Sequence, residues 1–106
     1  MKYNILGNSK LNVSEYCLGS MTWGEASSEA TGHWQLDAAL EYGINFIDTA
    51  EMYPTNPMRK ETAGRTEEII GSWVKKRKHH SDVIIATKIT GNGSATIRDG
   101  GPITKD

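Results

Sequence analysis

Four side chains in this sequence have types and positions suited to proton transfer: Asp48, Glu51 and Tyr53, close together, and Lys88 further along. A phenol with an ordinary pKa of about 10 is a poor acid near neutrality, but an adjacent ammonium stabilises the phenolate and lowers that value. At about 4 Å and an effective dielectric of about 20, one unit charge contributes on the order of 4 kcal/mol before solvation losses, enough to lower the pKa by about one to three. Tyr53 would then protonate a carbonyl oxygen as hydride reaches its carbon, with Lys88 as the tuning cation. Asp48 would hold Lys88 charged and in place. Each residue also has a bland reading: Asp48 as a cap or turn residue, Lys88 as an exposed charge, Tyr53 as a loop anchor beside Pro54. Their coincidence at one rim sets the chemical reading level with the bland one, so the elements that carry them matter.

Residues 44–48 read as a short strand closed by Asp48, and residues 49–64, with Pro54 and Pro57, as a long loop presenting Glu51 and Tyr53. From Thr66 the set Ile69, Ile70, Trp73, Val74 falls at helical spacing, with Glu67 and Glu68 in the first turn and Lys75 to Lys78 in the last. Residues 83–88 read as a strand buried on both faces until Lys88. Upstream, residues 3–16 alternate around Gly7-Asn8-Ser9-Lys10 as a hairpin. Tyr16-Cys17-Leu18 is a further short strand that runs into a loop with Gly19 and Gly24. After Ser27 or Ser28 as N-cap, a helix over about 28–42 places Ala30, His33, Leu36, Ala39 and Leu40 on its apolar face, and Gly43 stops it. Trp34 and Trp73 are expected to pack inward; Trp23 stands open between packing and lining a pocket. Residues 92–106 form a loop or tail.

Strand, helix, strand, helix, strand is the signature of parallel β/α units, whose active groups gather at the carboxyl ends of the strands. The fold class expected is α/β: the N-terminal part, a hairpin plus the first three β/α units over residues 17–91, of a TIM (β/α)8 barrel. A whole barrel takes about 250 residues and this chain has 106.

A net charge of −1 excludes a whole-molecule field that would gather nucleic acid. The run Lys75-Lys76-Arg77-Lys78-His79-His80 is explained by the preference for cations at a helix C-terminus, so no nucleic-acid partner is expected. A single cysteine, Cys17, makes neither an internal disulfide nor a metal framework, so no metal and a reducing, cytoplasmic setting are expected. No stretch is apolar and long enough to span a membrane.

The motif Asp48-Thr49-Ala50-Glu51-Met52-Tyr53, preceded by Gly43-Ile44-Asn45-Phe46-Ile47 and followed by Gly64-Arg65-Thr66-Glu67-Glu68-Ile69-Ile70-Gly71, resembles the N-terminal signature of the aldo-keto reductases. Glu51-Met52-Tyr53-Pro54, Glu61-Thr62, Thr66-Glu67 and Gly71-Ser72-Trp73 look like its bacterial NADP(H)-dependent, Tas-like subgroup. The resemblance covers the chain from about Tyr3 to Gly91. It implies an eight-stranded barrel floored by a hairpin, NADPH as cofactor and a small carbonyl substrate. It also implies Asp48 as orienting carboxylate, Tyr53 as proton donor and Lys88 as cation. Ser20 and Met21, joined by Asp48, fall where the family contacts the nicotinamide ribose. The family's catalytic histidine, at the end of a fourth strand, and its later phosphate-binding loops have no counterpart here. His79 and His80 precede the third strand and are no substitutes. The 106-residue chain by itself is therefore expected to be inactive, and to self-associate or take a complementing chain through its open sheet edge. The alternative is a non-catalytic interaction or assembly module derived from such an enzyme.

Overall fold

The computed structural model describes residues 1–77 and 80–105, the side chain of His80 excepted. Lys78 and His79 of the basic run lie outside the described residues.

The alternating opening segment folds as an antiparallel pair, β1 (Tyr3–Ile5) with β2 (Asn12–Ser14), in the register Tyr3 opposite Ser14. Three further strands form a parallel sheet in the order β3 (Leu18–Gly19), β4 (Phe46–Asp48), β5 (Ile84–Ala86). The crossovers carry helices α1 (Glu29–Glu41) and α2 (Arg65–Arg77), with short 3-10 turns at His80–Asp82 and Arg98–Gly100. Ser28 caps α1, its hydroxyl accepting from the Thr31 amide, and Gly43 at φ +88° ends it, as expected.

One side of the sheet is covered by both helices. Trp23, Leu36, Ile47, Ile69, Ile70, Trp73 and Val83 are buried there, each such side chain stabilising by roughly 1.5–3 kcal/mol. The two buried indoles have their N–H groups satisfied: Trp23 donates to Gln35 and Trp73 to Asp37, both at 2.9 Å. Trp23, left open by the sequence, is thus a packing residue.

Two expectations about faces need correction. Helix α1 buries Gly32, Leu36 and Ala39, whereas Ala30 is exposed and Trp34 is 69% exposed. Gly32 faces Trp23: a Cβ there would sit 3.0 Å from the ring, closer than an ordinary contact, so the absence of a side chain suits this approach. At about 100° per residue, positions two away from Gly32 in either direction must face solvent. Strand β5 spans fewer residues than 83–88 and is only half-buried, because the helices cover one of its faces. Past Ala86 the pairing continues through the Thr49 amide to the Ala86 carbonyl at 2.9 Å and the Glu51 amide to the Lys88 carbonyl at 3.1 Å, which keeps Lys88 in register two residues beyond β5.

The hairpin sits at the amino end of the sheet. Ser14 N–H donates to Asn45 Oδ1 at 2.8 Å, Asn45 Nδ2 to the Asn12 carbonyl at 3.0 Å, and Tyr3 Oη to the Gly43 carbonyl at 2.7 Å. Asn45 also accepts the Ile84 amide at 2.7 Å, tying hairpin, β4 and β5 together.

Candidate active site

Parallel register brings the sequence-selected residues to one rim. Gly19, Asp48 and Ala86 are register partners across β3, β4 and β5. Side chains repeat on one face every second residue, so Lys88 follows Ala86 onto the face of Asp48. Gly19 offers no side chain, and a Cβ there would meet nothing within 4 Å, which leaves the rim open beside Asp48.

Tyr53 arrives on the turn after β4. Its amide donates to the Ala50 carbonyl at 3.1 Å, and its own carbonyl accepts from the Gly64 and Thr66 amides at 2.9 and 3.4 Å. Thr66, fully buried, donates its hydroxyl to the Trp23 carbonyl at 2.6 Å, so the start of α2 fixes both rim loops.

The Lys88 ammonium lies between the other two groups. Nζ donates to both Asp48 carboxylate oxygens at 2.8 Å, to the Thr49 carbonyl at 2.8 Å and to the Tyr53 hydroxyl at 3.3 Å. The hydrogen bond to Asp48, with further support from Tyr53, holds the Lys88 pKa above the ordinary lysine value against a smaller opposing cost of desolvation. An ammonium has donors and no acceptor, so the Tyr53 oxygen accepts from Lys88 and its own proton is left free to be donated elsewhere. The Asp48 and Lys88 side chains are 39% and 53% exposed, so solvent screens the pair.

Next to this trio is a concavity of roughly 290 Å³ lined by Gly19, Ser20, Met21, Thr22, Asp48 and Tyr53. Ser20 is buried and donates its hydroxyl to the Asp48 carbonyl at 2.7 Å, so what it can offer a ligand is an acceptor lone pair. Met21 is 49% exposed, its carbonyl already accepting from the Thr55 amide at 2.9 Å. The lining combines acceptors (Ser20, the Asp48 carboxylate) with apolar surface and no cation, which suits a neutral ring bearing hydroxyls. Among the described residues no cluster of three His, Cys, Asp or Glu could hold a metal. Likewise no helix of the described residues is long and apolar enough to cross a membrane.

Residues 15–102 match the sequence profile of the Aldo/keto reductase family. The chain belongs to that family. It is 50% identical over 91 residues to Protein tas of Escherichia coli, a match covering 86% of this chain and 26% of that protein. It is 40% identical over 90 residues to the uncharacterized oxidoreductase YrpG of Bacillus subtilis, covering 84% and 26%. Among solved structures it is similar to an aldo-keto reductase of Bacillus halodurans in its holo form, with a TM-score of 0.68, 34% identity, and coverage of 92% of this chain and 29% of that one. The chain thus spans about a quarter of the length of these curated relatives. Its sheet and helices are the opening part of the aldo-keto reductase barrel.

Two members of this aldo-keto reductase rim had no role assigned from sequence. Glu51 was visible as a loop acid; its carboxylate accepts from the Thr90 amide at 2.9 Å and from Arg98 Nη1 through both oxygens at 2.8 Å. Arg98 lies in a glycine-rich tail with no periodicity and gave no signal at all.

Proposed function

We propose that this rim carries the proton-donor half of an NADPH-dependent carbonyl reductase, with Tyr53 as the acid. Tyr53 Oη would hydrogen-bond the carbonyl oxygen of a small aldehyde or ketone and give up its proton as that oxygen gains negative charge. Lys88, donating to the same Oη, stabilises the phenolate left behind. Asp48 orients Lys88 and keeps it charged. Ser20, Met21 and Asp48 would hold the ribose of the nicotinamide, and NADPH when bound supplies the hydride. The choice of NADPH follows the subgroup resemblance in Glu51-Met52-Tyr53-Pro54.

The observation that carries this reading is the placement of Lys88 Nζ between the Asp48 carboxylate and the Tyr53 hydroxyl. The test is to express the protein from its complete reading frame and follow reduction of 4-nitrobenzaldehyde by the absorbance of the reduced nicotinamide, with NADPH and NADH in parallel. Tyr53→Phe and Lys88→Met should each lower kcat by about 10²- to 10⁴-fold while the circular dichroism spectrum is unchanged. Full activity in Tyr53→Phe would overturn the assignment.

A further inference from the structure

We infer that Glu51 and Arg98 are positioning residues that hold Lys88 against Tyr53, by clasping the strand end that carries the cation to the turn that carries the phenol. This rests on the reading of the rim as a carbonyl reductase site.

Lys88 lies two residues past the end of β5, on a segment with little apolar anchorage: Ile89 is 68% exposed. What fixes the backbone there is Glu51. Its amide donates to the Lys88 carbonyl at 3.1 Å and its carboxylate accepts the Thr90 amide at 2.9 Å, so one residue grips the segment on both sides of Ile89. Arg98 closes the clasp with the two 2.8 Å contacts from Nη1 to the Glu51 carboxylate, while Nη2 donates to the Thr90 carbonyl. Glu51 itself sits within the Ala50-to-Tyr53 turn, two residues before the phenol. Displacing the clasp therefore moves Lys88 relative to Tyr53, and a displacement of about 1 Å at a reacting group can cost about 10²-fold in rate. A second contact between the same tail and the rim loop, Lys60 with Asp99 at 2.6 Å, is exposed on both sides and touches neither catalytic segment. It provides the control.

In the protein expressed from its complete reading frame, Glu51→Ala and Arg98→Ala should each lower kcat about 10- to 100-fold with KM changed less than about 3-fold. The double variant should be no worse than either single one, since the two act as a unit. Glu51→Gln, which keeps an acceptor for the Thr90 amide, should lose less than Glu51→Ala, and Lys60→Ala should leave kcat unchanged. If Tyr53→Phe abolishes turnover while Glu51→Ala and Arg98→Ala leave kcat intact, the clasp is overturned and the catalytic reading stands. Equal losses in Lys60→Ala would also overturn it, by showing that any anchor of the tail suffices. If Tyr53→Phe retains full activity, the catalytic reading fails and this inference fails with it.

Discussion

The Lys88 ammonium has three protons and meets Asp48, Thr49 and Tyr53 together, so polar contacts set where it sits. Charge state therefore governs this rim, and the signs can be worked out. Lys88 has its folded pKa raised, so its contribution to stability is complete below the ordinary lysine range and is lost as pH rises through the raised value. Glu51 is shifted the other way: the Arg98 guanidinium and then the Thr90 amide hold its carboxyl below the ordinary glutamate value. Its contribution is present above that ordinary value and is lost as pH falls through the lowered folded one. We expect the Thr90 amide resonance to titrate with that acidic midpoint in NMR spectra, and to stop doing so in Glu51→Gln. In the sequence Asp48, Tyr53 and Lys88 stood out only as a set, since each alone also reads as a cap, a loop anchor or an exposed charge; the register and the turn after β4 bring the three together. Arg98 was not legible, because a surface-type cation among glycines looks the same whether it clasps a partner or faces water.

At the scale of elements, α2 was the easiest to read and α1 the most misleading. In α2 the apolar spacing, the acidic first turn and the basic last turn all agree, and the helix buries Ile69, Ile70 and Trp73. In α1 the expected Leu36 and Ala39 are buried, but the stripe is completed by Gly32, which carries no hydrophobic weight, while Trp34 carries much and points outward. A pattern read from side-chain polarity cannot register a face chosen for closeness of approach. Gly32→Ala should accordingly destabilise, despite the better helix propensity of alanine, because the new Cβ would lie 3.0 and 3.2 Å from Trp23 ring atoms and 3.3 Å from Ile69. We expect a loss of about 1–3 kcal/mol in urea denaturation. A gain would mean that the Trp23 ring yields more easily than a packed indole should.

The molecule as a whole is polarised. Hairpin contacts gather at the amino ends of the parallel strands and the titratable trio at their carboxyl ends, with the helices on one side only. Order β3-β4-β5 leaves the outer edges of β3 and β5 without a strand partner among the described residues, and Phe46, Ile84 and Ala86 half-exposed. Such edges and faces favour association. A polypeptide of these 106 residues alone is expected to show concentration-dependent light scattering and a broad thermal transition. A sharp melt independent of concentration would contradict that. The parallel β/α pattern was readable from the spacing of strands and helices, but one-sided coverage was not, since a strand half-covered and a strand wholly covered can be equally apolar in sequence.

Asn45 has a consequence for how the chain is assembled. The β1–β2 pair is synthesised before the groups that receive it, the Gly43 carbonyl and the Asn45 amide and side chain, which follow some thirty to forty residues later. The hairpin is thus seated only after the residues that follow it are made, and a nascent chain stalled before residue 43 carries a hairpin without these docking groups.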